Sequence, residues 1–187
     1  MRTLLTTFLL TCLFCGCQRS KNEFDRHGQI TKIAFATGYC HGTCPYQAIE
    51  IDSSLTYKYY GGEWAKNKGY FTGTIDRGFW DSLNTDLKDL EYWNFEAVYD
   101  NTVDDQEVEL IIFKGHDKKH IRGQYESLPK GLRDLFFKTY KSVARANLRP
   151  IKDSIAFVTT LQTPMKFPGY PKFLPETYKR ATPKTGL

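Results

Sequence analysis

The fold of this chain is most constrained by a series of short segments in which apolar and polar residues alternate, joined by turns of a few residues. In the first segment, from Ile30 to Thr37, apolar side chains recur on one face with the period of two that is typical of a half-buried β-strand. The segments from Tyr46 to Asp52 and from Leu55 to Tyr60 flank a tight turn at Ser53-Ser54, which predicts a hairpin. Since short turns join antiparallel strands, whereas parallel strands need long crossovers, the pattern favours an antiparallel sheet.

Two amphipathic helices interrupt the strands, as apolar residues at spacings of three and four indicate. The first is expected to begin after the N-cap residue Asp76 and to end near Trp93. The second is expected to have Pro129 near its first turn and to be ended by Asn147 and Pro150. Each helix has one apolar stripe, formed by Phe79, Leu83, Leu87 and Leu90 in the first and by Leu132, Leu135, Phe136, Tyr140 and Val143 in the second.

Three further segments complete the series of strands. Tyr70 to Ile75 alternates, Glu107 to Phe113 is rich in β-branched residues, and Lys119 to Gln124 pairs back on it across a turn as a second hairpin. The order β-β-β-β-α-β-β-α then predicts one α+β domain over residues 29–150. Its expected architecture is an antiparallel sheet of five to six strands with two helices packed on one face.

Composition places the chain among soluble globular proteins. Of its 187 residues, 41% are hydrophobic and 25% are charged, which excludes an intrinsically disordered chain and a multi-span membrane protein. Residues 151–187 form a basic extension rich in proline and aromatic residues, which predicts an irregular arm with at most an edge strand at Ile155 to Thr160. The basic excess lies in this extension, and since an exported protein meets little nucleic acid, we expect no nucleic-acid partner and favour anionic lipid or a cell-wall polymer as its contact. The alternative is that Phe167, Tyr170 and Phe173 dock on the domain itself.

The N-terminus has the pattern of an export signal. An uncharged apolar run from Leu4 to Phe14 follows Arg2, and it is shorter than the about 20 residues that a bilayer requires. The residues after it, Cys15-Gly16-Cys17, resemble the lipobox of a bacterial lipoprotein signal, with a small residue directly before a cysteine. A plain signal peptide cut nearby and a buried helix are the alternatives.

The lipobox resemblance implies a complete scheme of processing and anchoring. Residues 1–16 are then a lipoprotein signal peptide, cleavage precedes Cys17, that cysteine is acylated, and residues 17–28 are a polar tether. Several acyl chains hold a membrane stably where one holds it marginally. We therefore expect a lipid-anchored protein of the bacterial cell envelope, in the outer rather than the inner membrane because Gln18 replaces the Asp associated with inner-membrane retention.

Two of the five cysteines, Cys40 and Cys44, remain once signal cleavage and acylation of Cys17 have used the others. In an oxidising compartment, an even pair is first interpreted as a structural disulfide. An extended strand would separate the two Cα atoms by about 13 Å, and a disulfide needs less than about 7 Å, so the chain between them must then curl. Thiol–disulfide exchange and Cu(I) binding are the alternatives, since the Cys-x-x-x-Cys-Pro spacing is similar to that of the Sco copper-delivery proteins. The imidazoles considered for such a metal site are His41, His116 and His120.

Several motifs in sequence order carry a resemblance to a known family. They are the strand Ile30 to Thr37, the element Cys40-x-Gly42-x-Cys44-Pro45, the strand Gly69 to Gly73, the acidic pair Asp104-Asp105 before the strand Glu107 to Phe113, and the helix at Pro129. On these residues, the chain from Gly28 to about Leu148 resembles an uncharacterised family of bacterial envelope proteins, the domain of unknown function 6438. Two departures are that Tyr46 directly follows the proline and that Ser53-Ser54 occupies a turn that usually carries glycine. The resemblance implies a secreted or lipid-anchored domain and no particular activity.

No catalytic signature is present: the sequence has no Gly-x-Ser-x-Gly, no Walker A loop, no His-Glu-x-x-His and no Gly-x-Gly-x-x-Gly. We therefore assign no catalytic residue, cofactor or metal, and expect a non-enzymatic binding or scaffolding module. Its expected partners are the membrane, through the N-terminal lipid, and an envelope protein or a cell-wall polymer. The alternatives are a thiol–disulfide or copper-handling protein that uses Cys40 and Cys44, and a hydrolase whose tyrosine-rich face stacks on sugars.

Overall fold

A computed structural model of the chain describes residues 29–38, 40, 42–100 and 105–161. This part of the chain folds as an α+β structure with two α-helices and one eight-stranded sheet. The strands are β1 (Ile30–Thr37), β2 (Gln47–Asp52), β3 (Thr56–Gly61), β4 (Gly69–Thr74), β5 (Val98–Tyr99), β6 (Glu107–Lys114), β7 (Asp117–Gln124) and β8 (Asn147–Ile151). The helices are α1 (Arg77–Asp89) and α2 (Lys130–Ser142), with short 3-10 helices at Tyr92–Asn94 and Tyr125–Ser127.

The strands pair in the order β5-β7-β6-β1-β2-β3-β4-β8. Every neighbouring pair is antiparallel except β5 and β7, which are parallel. The expected antiparallel sheet is therefore confirmed, and β1 lies inside it, between β2 and β6. This position agrees with the burial of β1, whose residues from Ile33 to Thr37 are all buried.

The sheet is wider than the five to six strands expected from the sequence, because β5 and β8 add to it. β5 has two residues, which is too short for an alternating pattern to show. β8 begins at Asn147 and contains Pro150, residues whose only predicted role was to end the second helix. Pro150 lies on the outermost strand, β8, and pairs with Phe71 of β4. An edge strand tolerates a missing N–H because one of its sides bonds to no neighbouring strand. The expected edge strand at Ile155 to Thr160 is wrong, since these residues form no strand.

Both helices lie on one face of the sheet, as expected, and their apolar stripes pack on it. The backbone N–H of Phe79 donates to Asp76 Oδ1 at 2.8 Å, which confirms the predicted N-cap and holds the pKa of that carboxyl below its usual value. α1 ends at Asp89, earlier than expected, and Glu91 then takes a left-handed conformation with φ 48°. No helix in the described ranges is long and apolar enough to cross a membrane. The core between helices and sheet contains Ile33, Phe35, Ile49, Tyr57, Phe79, Leu83, Leu110, Leu132 and Phe136, among others.

The second face of the sheet has small residues at its centre, and the chain after β8 covers them. Residues 155–161, which we call the strap, cross this face without forming a strand. Phe157 and Leu161 of the strap pack against Ala36, Ala48 and Tyr60. The first part of the C-terminal extension therefore belongs to the folded domain, whereas its proline-rich remainder lies outside the described residues, as do the expected signal peptide and tether.

Candidate functional site

The cysteine pair predicted from the sequence lies in the connection between β1 and β2. The Cα atoms of Cys40 and Cys44 are 5.9 Å apart and their sulfurs 1.96 Å apart, so the two residues are joined as a disulfide. The separation is far below the about 13 Å of an extended chain, and the connection therefore curls as the disulfide interpretation requires. Both cysteines are half-buried at the surface of the domain.

Both ends of this loop are held by hydrogen bonds from the sheet. The hydroxyl of Thr37 donates to the carbonyl oxygen of Pro45 at 2.6 Å. The side-chain amide of Gln106, which directly precedes β6, donates to the same oxygen at 2.8 Å and to the carbonyl oxygen of Gly38 at 3.1 Å. The disulfide thus closes a small ring inside a loop that Thr37 and Gln106 already position. Neither residue was predicted as part of the site, because Thr37 is an ordinary polar residue at the end of a strand and Gln106 lies about sixty positions from the cysteines in the sequence.

An apolar pocket of about 320 Å³, which we call the clasp pocket, opens beside this loop. Its lining residues come from the end of the sheet, the loop and α2: Phe35, Thr37, Pro45, Gln106, Val108, Tyr125, Phe136, Phe137 and Tyr140. Phe137 is 55% exposed and Tyr140 36% exposed, although both are large and apolar. Nζ of Lys141 lies 5.0 Å from the ring centre of Phe137 and 5.9 Å from that of Tyr140, so the outer wall of the pocket is aromatic and its rim is basic.

Tyr140 was expected in the buried stripe of the second helix, and the structure corrects this. The stripe holds at Leu132, Leu135 and Phe136, which are buried, whereas Tyr140 stands half outside next to Phe137. The apolar residues of α2 extend around the helix beyond the face that packs on the sheet. Tyr140 lies on this outer part, together with Phe137. Phe137, a large apolar residue outside the predicted stripe, was the feature of the sequence that could have indicated an exposed apolar surface on this helix.

The strap-covered face of the sheet holds two buried carboxylates, Glu50 on β2 and Glu109 on β6. Glu50 is 3% exposed; Nζ of Lys58 lies 3.4 Å and Nζ of Lys32 3.8 Å from its Oε2. The backbone N–H of Val158, from the strap, donates to Oε1 of Glu50 at 2.6 Å. The alternating pattern of β2 predicts Glu50 on a solvent-facing side, and the strap is what buries it.

Glu109 is 1% exposed and accepts hydrogen bonds from the sheet and the strap together. Nε2 of His120 lies 2.6 Å from its Oε1, the backbone N–H of Thr160 donates to its Oε2 at 2.8 Å, and the hydroxyls of Thr159 and Thr160 also donate to it. Burial acts to raise the pKa of Glu109, but these hydrogen bonds outweigh burial and leave the pKa below its usual value. The carboxylate therefore serves as an anchor for the strap.

Neither of the two histidines that the structure describes, His116 and His120, joins the cysteines in a common site. His116 is exposed in the β6–β7 turn, His120 pairs with Glu109, and His41 lies outside the described residues. Within the described ranges no three His, Cys, Asp or Glu side chains are placed to hold a metal ion. Glu50 and Glu109 are both buried, and both accept backbone hydrogen bonds from the strap.

Comparison with known proteins agrees with the resemblance found in the motifs. The profile of a family described as Domain of unknown function (DUF6438) matches residues 31–143, which include the cysteine loop and both α-helices. The search of curated proteins found no match. Because the matched region spans more than half of the chain, this protein belongs to the DUF6438 family.

Proposed function

We propose that this protein is a lipid-anchored cell-envelope protein that acts as a non-enzymatic binding module, with an apolar segment of another envelope protein as the ligand of the clasp pocket. The observation that carries the proposal is the exposure of Phe137 and Tyr140 at a preformed apolar pocket. Aromatic side chains around an apolar pocket are typical of the centre of an interface. The basic rim at Lys141 favours a partner segment in which acidic residues flank the apolar one.

The state of the buried charges supports a binding role over catalysis. Glu50 lies between two lysines and a strap N–H, and Glu109 is occupied by His120 and two threonines. A general acid or base must reach a substrate proton, and these carboxylates are instead engaged with the protein's own groups. Both therefore contribute to the attachment of the strap.

The anchoring part of the proposal is supported by the order of features at the N-terminus. The apolar run, Gly16 and Cys17 follow one another at the spacing of a lipoprotein signal, and a tether over residues 17–28 reaches at most about 40 Å when fully extended. Mass spectrometry of the mature protein from bacterial membranes tests this. We expect an N-terminal peptide that begins at acylated Cys17 and disappears in Cys17→Ala, while an unmodified N-terminus or cleavage elsewhere contradicts anchoring.

The binding part is tested with an apolar fluorescent probe, 1-anilinonaphthalene-8-sulfonate, which combines aromatic rings with a negative charge. We expect the folded domain to enhance its fluorescence and Phe137→Ser to abolish most of the enhancement, with Lys141→Gln giving a smaller loss. Val98→Ser is the matched control, since Val98 is also half-exposed but is not among the residues that line the pocket. Equal fluorescence in all variants contradicts a binding pocket at Phe137.

The partner is tested in cells with a photo-crosslinking amino acid at position 137 and, as control, at position 98. We expect one discrete envelope protein to be crosslinked from position 137 only, and the crosslink to be lost when Lys141→Glu reverses the charge of the rim. Crosslinks that are the same from both positions, or that do not respond to the charge reversal, contradict a specific site.

The alternative function is thiol–disulfide exchange or copper handling by Cys40 and Cys44. The half-buried position of the pair leaves it within reach of a partner thiol, which favours this alternative. However, the loop leads into strand β2, and the helix N-terminus that lowers a thiol pKa in exchange proteins is missing after Cys44. A redox titration distinguishes a structural disulfide from an exchange protein. A reduction potential below about −300 mV is that of a structural disulfide, and a value near −200 mV is that of an exchange protein.

A further inference from the structure

A second concave site lies at the opposite end of the domain from the clasp pocket. β1 begins at Ile30 in this cleft and ends at Thr37 in the clasp pocket, so the length of the strand separates the two sites. The cleft has a volume of about 980 Å³ and lies between α1, the 3-10 helix at Tyr92–Asn94 and the first residues of β1. Since Gln29 lines it, we call it the tether-end cleft: the expected tether precedes this residue directly.

The floor of the tether-end cleft is aromatic. Trp80 of α1, Tyr92 and Trp93 all line it, and the rings of Tyr92 and Trp93 stack with their centres 5.0 Å apart. Trp80 and Tyr92 are held in the core and Trp93 is half-buried, which fixes their positions. Trp93 is therefore the ring that offers an apolar surface to a ligand, and the buried rings of Trp80 and Tyr92 support it from beneath, so little side-chain freedom is lost on binding.

The charged side chains of the tether-end cleft balance one another. Of the described residues that line it, three are basic and three are acidic: Arg77, Lys88 and Lys114, and Asp81, Asp89 and Glu91. A site for a polyanion, such as nucleic acid or a phosphorylated polymer, presents an excess of positive charge, and the described lining has none. Mixed donors and acceptors without net charge suit a polar ligand that is itself uncharged.

Polar groups in the cleft are available for such a ligand. Asn84 is oriented by a hydrogen bond of 2.7 Å from its Nδ2 to the carbonyl oxygen of Trp80. That bond leaves the side-chain carbonyl oxygen of Asn84 to accept from a ligand, and Asp81, Asp89 and Glu91 add carboxylate acceptors to the same lining.

We infer that the tether-end cleft binds a neutral saccharide of the class found in cell-wall polymers. The C–H face of a sugar ring packs on an aromatic surface, and its hydroxyls pair with amide and carboxylate groups, which is the combination that Trp93, Asn84 and Asp81 present. The inference rests on the proposed binding role but not on the clasp pocket or the lipid anchor. A lipid-anchored domain with this cleft at its tethered end would hold a wall polymer close to the membrane.

The test uses the chain from Gln18 to the C-terminus, which lacks the cysteine expected to be acylated and keeps the residues before Gln29. The probe is the N-acetylglucosamine trimer, with maltotriose and cellotriose beside it. The sequence has three tryptophans, of which Trp80 and Trp93 line the cleft and Trp64 does not. Trp64→Phe therefore confines the fluorescence signal to the cleft. We expect saturable quenching or enhancement on titration with at least one of these saccharides, and the same dissociation constant in Trp64→Phe as in wild type by calorimetry.

The variants Trp93→Ala and Asn84→Ala locate the site. We expect each to weaken the calorimetric affinity at least tenfold while circular dichroism and the unfolding midpoint show a folded domain. Asn84→Ala, a partly exposed position on α1, keeps the test decisive if Trp93→Ala does not fold. No binding of any of the three saccharides, or binding that both variants retain, overturns the inference. A normal dye response at Phe137 in the same preparation would then leave the proposed function standing.

Discussion

Glu109 and His120 face each other on neighbouring strands with Oε1 and Nε2 2.6 Å apart, and the same carboxylate holds the strap. His120 is the diagonal neighbour of Glu109, since it pairs with Ile111 in the β6–β7 ladder. One carboxylate thus joins two strands to a segment about fifty positions later in the chain, with Thr160 donating from its backbone and its side chain. The attachment of the strap therefore depends on the charge state of Glu109.

The variant Glu109→Gln tests this dependence. The amide keeps the size of the side chain but places an NH₂ where one oxygen accepted hydrogen bonds, and it removes the charge that strengthened them. We expect the free energy of unfolding in urea to fall by about 1–3 kcal/mol, and the amide N–H of Thr160 to exchange with solvent faster. Glu107→Gln, an exposed position on the same strand, is the matched control and should change neither. An unchanged exchange rate at Thr160 would show that Phe157 and Leu161 hold the strap without the carboxylate.

Stability should depend on pH through the same group. The pKa of Glu109 in the folded protein lies below its usual value of 4.5, so its contribution to stability is present above that value and is lost as the pH falls through the lower, folded pKa. We expect wild type to lose stability more steeply than Glu109→Gln below about pH 4.5. Urea unfolding at several pH values checks this, and parallel curves for the two proteins would show that Glu109 does not carry the effect.

The strap illustrates what the sequence could predict and what it could not. The period of two in β1 and β2 predicts both strands correctly, because alternation is a local property of the backbone. In β2 it places Glu50 on the face opposite Ile49 and Ile51, where solvent is the default expectation, and in the structure Glu109 of β6 also bonds to the strap on that face. Their burial is decided by residues 155–161, and no local pattern states where that segment will pack. Small residues on that face, such as Ala36 and Ala48, were the available signal of a covered surface.

Removal of the disulfide should weaken the domain only modestly. The ring closed by Cys40 and Cys44 is small, and the chain-entropy model assigns it about 2 kcal/mol. The loop is also held by Thr37 and Gln106, so we expect Cys40→Ser/Cys44→Ser to lose no more than about this amount in urea unfolding and to remain folded. Wild-type protein under reducing conditions is the control and should match the double variant. Global unfolding of either would show that the loop organises the fold rather than being positioned by it.

Gln106 should stabilise the loop between β1 and β2, although it lies outside that loop in the sequence, directly before β6. Its amide donates to the carbonyl oxygens of Gly38 and Pro45, and truncation leaves both with one donor fewer in a partly buried position. We expect Gln106→Ala to reduce the free energy of unfolding by about 1–3 kcal/mol. Gln106→Glu should be at least as harmful, because a carboxylate places acceptors against two carbonyl oxygens. If the glutamate variant is as stable as wild type, these two hydrogen bonds do not hold the loop.

The clasp pocket could not be derived from the sequence because it is formed by residues from five separate stretches. The order of the strands and the position of α2 on the sheet bring these stretches together, and neither can be derived from the sequence. The stretches are represented by Phe35, Pro45, Gln106, Tyr125 and Phe137. Each of them alone has an ordinary explanation as a core, turn or surface residue. The cysteine motif did mark the correct end of the domain, since the loop it closes provides one wall.

The added strand β8 depends on a glycine in its neighbour. Gly73 of β4 pairs with Leu148, and a Cβ at Gly73 would stand 2.0 Å from the carbonyl oxygen of Asn147, which is backbone and cannot rotate away. We expect Gly73→Ala to displace β8, lower the free energy of unfolding by about 1–3 kcal/mol, and speed hydrogen exchange at β8 amides while those of β1 stay protected. Thr74→Ala, exposed on the same strand, is the control and should leave β8 unchanged. Because the strap continues the chain from β8, the displacement should also raise exchange at Thr160; protection that persists there would mean that the anchor at Glu109 holds the strap independently of the edge strand.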